Sequence, residues 1–199
     1  MSKAVQLDEQ YWNNRYKTDQ TGWDIGFVST PLKEYFDQLQ NKEIAILIPG
    51  CGNAYEAEYL LQSGFKNVTV VDLSSNAVEA IKRRLIAFDG KELHVIHDNF
   101  FNLQQPFDLI VEQTFFCAIE PNLRSAYANK INQLLKPNGK LVGLLFNRTF
   151  DGGPPFGGSS KEYEKLFSPL LNIKYLTDCK NSISPRAGTE LFVLMQKGI

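Results

Sequence analysis

After residue 43 the chain alternates short apolar runs rich in β-branched residues with stretches whose apolar positions recur at helical spacing. The runs "IAILIP" (44–49), "NVTVVDLS" (67–74), "LHVIH" (93–97), "FDLIVEQ" (107–113) and "KLVGLLF" (140–146) have strand length and read as strands. Between the first two, "NAYEAEYLLQSG" places Ala57, Leu60 and Leu61 on one helical face and stops at Gly64. Asn76 and Glu79 have the spacing of a capping box, opening a helix with Ala77, Val78, Ile81 and Leu85 along its apolar side. Leu123, Tyr127, Ile131, Leu134 and Leu135 make another stripe, which "KPNG" (136–139) is expected to end. A further helix, from near Ser159, carries Tyr163, Leu166, Phe167 and Leu170. Strands alternating with helices predict an α/β fold with a doubly wound, mostly parallel sheet. The tail departs from that rhythm: "NIKYLTD" (172–178) and "ELFVLMQ" (190–196) are strands separated by a polar loop with no helical stripe. They are expected to form a hairpin, so that the last strand runs antiparallel to the rest. Residues 1–40 precede the sheet and are expected to form a helical lid segment on a single domain whose body is 41–199.

Composition changes this picture little. With 43% hydrophobic and 22% charged residues among 199, the chain has the make-up of one ordinary globular domain. A net charge of -1 offers no basic field for a nucleic acid or an anionic membrane, so a small-molecule substrate is expected as the partner. No signal-like N-terminus and no membrane-length apolar run is visible, which predicts a cytoplasmic protein. Cys51, Cys117 and Cys179 are far apart and odd in number, as free thiols would be. No metal site is expected, because His94 and His97 have no paired cysteines beside them. The pattern says nothing about oligomeric state.

The chemistry concentrates after the first strand. In "LIPGCGNAYEA", Gly50 and Gly52 allow a tight turn and close approach of a ligand to the backbone, and Asp72 closes the next strand twenty residues after Gly52. In a doubly wound sheet that acid shares an edge with the glycine loop, placed to accept hydrogen bonds from two ribose hydroxyls. A dinucleotide fingerprint wants a third glycine where Tyr55 stands, and no phosphate-loop lysine follows. A nucleoside without phosphates but with a cation fits better, and S-adenosylmethionine, a sulfonium, is such a ligand. Both tryptophans, Trp12 and Trp23, lie with Tyr16 in one short polar segment, "YWNNRYKTDQTGWD". Aromatic faces stabilise a cation by about 0.5 to 2 kcal/mol each, so these rings are expected to close over the cofactor rather than to serve only as packing.

Together, Trp12, Tyr16, "GWDIG", "LIPGCG", "VVDLS", "FDLIVEQTFFCAIEP", "LLKPNGKL" and "GGPP" resemble class I methyltransferases of the thiopurine methyltransferase superfamily, most closely its thiol and halide methyltransferase branch. The resemblance runs from about residue 10 to 171. It implies a Rossmann-like sheet of seven strands with the last antiparallel, S-adenosylmethionine as donor, S-adenosylhomocysteine as product and a soft nucleophile as acceptor. It also implies cofactor contacts from Trp12, Tyr16, Trp23, Gly50, Gly52, Asp72, Leu73, Asn99, Phe100 and Gln113. Tyr16 stands where plant relatives have tryptophan, Gln113 where they have tyrosine, and Asn99 where the motif has an aspartate. Asp98 therefore rivals Asn99 for the adenine amino group, or both line that wall.

Methyl transfer from a sulfonium needs a nucleophile held in line at about 3 to 3.5 Å more than it needs acid–base machinery. The expected acceptor is a thiol, hydrosulfide, thiocyanate or halide, with Arg148 as the guiding cation and Phe115, Phe116 and Phe156 as apolar walls. Alternatives are a thiopurine-type enzyme for aromatic thiols, a cofactor-binding module without catalysis, and, at the level of fold, a dinucleotide-dependent oxidoreductase.

Overall fold

The computed structural model describes residues 6–199. Seven strands follow one another: β1 Ile46–Pro49, β2 Val68–Asp72, β3 Leu93–His97, β4 Phe107–Gln113, β5 Leu135–Phe146, β6 Asn172–Asp178 and β7 Glu190–Gln196. They form one sheet in the order β3-β2-β1-β4-β5-β7-β6. Strands β1 to β5 pair in parallel, and β7 inserts between β5 and β6, antiparallel to both. The hairpin tail and the reversed last strand are as the pattern predicted.

Six helices accompany the sheet: α1 Glu9–Lys17, α2 Thr30–Asp37, α3 Tyr55–Gln62, α4 Ser75–Arg84, α5 Arg124–Leu134 and α6 Ser160–Phe167. Side chains alternate across a strand, so β1 serves two cores. Ile46 and Ile48 pack with Leu32 and Phe36 of α2, Leu60 of α3 and Ile81 of α4, whereas Leu47 joins Tyr127 and Ile131 of α5 and Phe167 of α6. Leu32 and Phe36 are 0% and 1% exposed, which makes α2 part of the domain body. The expected lid of residues 1–40 thus includes, in α2, a helix held by the core, and residues 1–5 lie outside the described residues.

Two local expectations are corrected. "KPNG" does not end the stripe of α5 as a loop: β5 begins at Leu135 and runs through it. Phe107 pairs with Leu135 and Leu109 with Lys140, so residues 136–139 bulge out, with Asn138 at φ 62. The cap of α4 is Ser74, whose Oγ accepts the Ala77 N–H at 3.3 Å. Asn76 instead turns to α1, where its side-chain amide donates to the Asn13 carbonyl at 3.1 Å.

The sheet is tightest between β4 and β5. Gly143 pairs with Glu112, and a β-carbon there would lie 2.5 Å from the Glu112 carbonyl oxygen. Gly143→Ala is expected to lower stability by about 1–3 kcal/mol, the usual cost of overpacking, measured by urea denaturation.

Candidate active site

Strand order reverses between β1 and β4, and the chain leaves their carboxyl ends in opposite directions, opening a crevice of the kind that binds ligands in such sheets. A cavity of about 860 Å³ lies there, within the range of pockets that enclose whole cofactors. Gly50, at φ 55, ends β1 in the left-handed region, and the ring of Phe115 occupies the place its side chain would take. Asp72 ends β2 beside it. Its Oδ2 accepts the Gly52 N–H at 2.9 Å and its Oδ1 the Ser74 N–H at 2.8 Å. Burial raises the Asp72 pKa above its ordinary value, and the two N–H bonds oppose that rise.

Over these groups lies the aromatic segment. Trp23 meets Trp12 edge-to-face at 5.7 Å and Tyr16 at 5.9 Å, and all three line the cavity. Burial, followed by the Asp72 carboxylate, pushes the Tyr16 hydroxyl well above its usual range, so it stays a neutral donor. No residue of helix α1 is fully buried, and its polar attachment to α4 is made by Asn13. Asn13 Nδ2 donates to Ser75 Oγ at 2.9 Å, while its Oδ1 accepts the Ser74 hydroxyl at 2.6 Å and the Asn76 N–H at 3.2 Å. Arg186, from the β6–β7 loop, donates to the Trp23 carbonyl at 2.7 Å and fixes the other end of the segment.

Of the residues expected to hold the cofactor, Trp12, Tyr16, Trp23, Gly50, Asp72, Leu73, Asp98, Asn99 and Phe100 line the cavity. Both candidates for the adenine wall are therefore present. Asp98 spends Oδ1 on the Asn99 N–H at 2.6 Å and the Asn102 side chain at 2.7 Å, and Asn99 caps the following turn through Phe101 N–H at 3.0 Å. Gly52 and Gln113 lie instead in a small recess of about 40 Å³ that shares Gly50, Trp23 and Thr114 with the main cavity.

On the acceptor side, Phe115, Arg148 and Cys117 line the cavity. Arg148 lies over the Phe150 ring at 4.6 Å and makes no ion pair among the described residues. Phe116 and Phe156 are corrections. Phe116 is 1% exposed, packed between Tyr127 at 5.1 Å and Tyr163 at 5.6 Å, because the loop after β4 turns successive side chains to opposite sides. Phe156 donates its N–H to the Cys117 carbonyl at 2.7 Å and folds its ring over Gly153, leaving Pro154 and Pro155 at the wall. Burial pushes the Cys117 thiol up to about 12, and Cys51 is raised by the same cause, so neither is a ready nucleophile.

Sequence reasoning missed Arg15, Arg186 and Thr189. Arg15 lies over Trp23 at 5.6 Å; Arg186 is 8% exposed and pairs with Glu190 at 3.5 Å. The signal for the last two was the hairpin itself. With β6 parallel to β1–β5, its loop must return at the carboxyl edge, where the site is.

The residues fit a sulfonium nucleoside. Gln113 Oε1 is a buried acceptor without a partner beside the glycine loop, suited to an ammonium, and Asp72 offers lone pairs for a ribose. Three rings and several carboxylates line the adjoining main cavity. No group of three or more His, Cys, Asp or Glu residues among the described residues could hold a metal, and no described helix is long and apolar enough to cross a membrane.

Comparison with known proteins agrees with this geometry. The profile described as thiopurine S-methyltransferase matches residues 7–192. A probable thiol methyltransferase 2 of Arabidopsis thaliana is 32% identical over 184 residues, covering 90% of this chain and 81% of that one. Thiocyanate methyltransferase 1 of Brassica oleracea is 31% identical over 190 residues, covering 92% and 83%. Among solved structures, the 1,6-didemethyltoxoflavin-N1-methyltransferase of Burkholderia thailandensis, with its substrate and S-adenosylhomocysteine bound, superposes with a TM-score of 0.75 at 17% identity, covering 100% of this chain and 94% of that one.

The polar attachment of α1 makes it the part of the site most open to loosening. Asn13→Ala removes the three side-chain hydrogen bonds to Ser74, Ser75 and Asn76, at about 1 kcal/mol each, and is expected to speed tryptic cleavage after Arg15 and Lys17 at least fivefold while leaving the melting of the domain body nearly unchanged.

Proposed function

The chain belongs to the thiopurine S-methyltransferase family of S-adenosylmethionine-dependent methyltransferases, and from that premise we propose that it methylates a small soft nucleophile such as hydrosulfide, a thiol, thiocyanate or iodide. The observation that carries the proposal is Arg148: a cation without an ion-pair partner among the described residues, set on an aromatic wall at the sheet edge opposite Asp72. An anion entering beside it loses water against Phe115, Phe146 and Phe150, which raises its nucleophilicity, while the guanidinium holds its charge. The relatives named for thiol and thiocyanate act on that same chemical class.

Bound S-adenosylmethionine would supply the electrophilic methyl group. In this reading Asp72 takes the ribose hydroxyls, Gln113 the ammonium, Asp98 or Asn99 the adenine amino group, and Trp12, Tyr16 and Trp23 cover the sulfonium face. Gly50 allows the Phe115 ring to close against the loop and keep water from the line of attack. No residue is asked to take a proton, because a thiolate, hydrosulfide or halide arrives already ionised; His94 and His97 stand on β3, away from the cavity lining. An aromatic thiol is a second reading, favoured by the phenylalanine lining and by room for more than the cofactor in about 860 Å³.

The test is S-adenosylhomocysteine formation with hydrosulfide, a small thiol, thiocyanate, iodide and thiophenol in parallel. Turnover of the first four at higher kcat/KM than thiophenol is expected; thiophenol alone would select the second reading, and none with cofactor still bound would indicate a binding module. Arg148→Ala is expected to lower kcat/KM for thiocyanate about tenfold or more, the scale of one charge-assisted hydrogen bond, with S-adenosylhomocysteine affinity unchanged by calorimetry. Asp72→Ala should do the reverse, weakening S-adenosylhomocysteine at least about tenfold through two lost charge-assisted bonds.

A further inference from the structure

Glu112, one residue before the end of β4, is 1% exposed and has no part in holding cofactor or acceptor. Its Oε1 accepts the N–H groups of Phe115 and Phe116, each at 2.8 Å, and its Oε2 accepts the Tyr127 hydroxyl at 2.5 Å. Three donors converge on one carboxylate, yet no cation among the described residues is paired with it. From α5 it meets Tyr127, and from the loop after β4 and from α6 the nearest titratable groups are Cys117 and Tyr163. Arg124 of α5 lies beyond the Phe116 ring at 4.8 Å and is paired with Glu162 of α6 at 2.5 Å. β5 presents only Gly143.

A buried carboxylate without a counter-ion is a poor way to stabilise a fold, since a packed apolar residue at the same place costs less. What this one does is hold two successive amides. Thr114, just before them, sits at φ 59, a conformation that needs external support in a residue other than glycine. The loop so fixed carries Phe115, Cys117 and Ile119 into the cavity.

We propose that Glu112 is a positioning residue for methyl transfer: as a carboxylate it clamps the Phe115 and Phe116 amides and sets the acceptor wall, and as a carboxylic acid it relaxes that clamp. The proposal rests on the reading of this wall as the acceptor side. Burial pushes the Glu112 carboxyl up to about 7, so the clamp changes state near neutrality. The sign follows from the bonds. In the acid form the proton lies between Oε2 and the Tyr127 oxygen, the hydroxyl hydrogen loses its acceptor, and Oε1 has less charge to offer the two amides. Clamping is therefore complete above the raised pKa and lost as pH falls through it.

Thiocyanate is the acceptor for the test, because it remains an anion throughout the range. In the unmodified enzyme with saturating S-adenosylmethionine, kcat/KM for thiocyanate is expected to rise about fivefold between about pH 6 and pH 8, the worth of roughly one hydrogen bond. Glu112→Gln, isosteric with the acid, should keep the low value at both ends, with S-adenosylhomocysteine affinity unchanged. Tyr127→Phe removes a donor that favours the carboxylate and should move the inflection to higher pH, a shift that a merely structural role would not produce. Superimposable profiles for the unmodified enzyme and Glu112→Gln, or a loss matched by equal loss of S-adenosylhomocysteine affinity, would overturn the proposal. If Glu112→Gln does not fold, an unmoved inflection in Tyr127→Phe overturns it. If thiocyanate is not turned over at all, the acceptor reading fails on its own, and hydrogen exchange decides the clamp. Faster exchange of the Phe115 and Phe116 amides in Glu112→Gln or Tyr127→Phe at about pH 8 sustains it, and equal rates overturn it.

Discussion

The site depends on the close approach of the Phe115 ring to Gly50. These two residues end or follow neighbouring strands, β1 and β4, whose loops diverge, and an ordinary side chain at position 50 would hold them apart. Because Gly50 sits at φ 55 with no β-carbon, the Phe115 ring packs against the glycine loop and forms part of the cavity wall. Asp72 lines the same cavity as Phe146, Arg148 and Phe150, and the recess with Gln113 shares Gly50 with it. In the proposed reaction both reactants would meet in that one cavity, and the missing methyl group at position 50 is what lets Phe115 close its wall.

The cover over the cofactor side is built on different physics from the body. The body is held by two apolar cores, whereas no residue of α1 is fully buried and its ties to α4 are hydrogen bonds made by Asn13. Hydrogen bonds of this kind exchange with water at small net cost, so a segment held by them can open without disturbing the sheet. The tryptophans of that segment pack on one another edge-to-face and line the cavity. Asp24 and the Trp23 carbonyl, held by Asn53 and Arg186, anchor the far end. On its α2 side the segment runs into the body, where Leu32 and Phe36 join the core.

Most of the frame was legible because β-branched runs and helical stripes are strong local signals, and Asp72 was legible because its spacing from Gly52 is imposed by a strand–helix–strand unit. What was missed needed information that is not local. Ser74 could be recognised as the cap of α4 only once Asn76 was known to be committed to Asn13, sixty-three residues away in sequence. Phe115 and Phe116 look interchangeable in "TFFCAIE", and the choice of which faces the cavity is made by Glu112, whose carboxylate takes both amides. Arg186 and Thr189 lie in a loop with no motif, and only the direction of β6 brings them to the site.

Two arginines at one cavity invite the same role, but their surroundings separate them. Arg186 is 8% exposed, shares its charge with Glu190, and donates to the Trp23 carbonyl and lies 5.8 Å from the Phe146 ring. Its field is largely neutralised at source, and moving it would break contacts with both the cover and β7. Arg148 has no carboxylate to neutralise it among the described residues and rests on one aromatic face, in a loop tied down through the bridge to Gly158 and the Arg124 bond to the Gly157 carbonyl at 2.7 Å. Such a cation, exposed at the cavity on a backbone that is firmly held, is free to meet an anion. In the proposed reaction that asymmetry suits Arg186 to shaping the wall and Arg148 to meeting the charge of the acceptor.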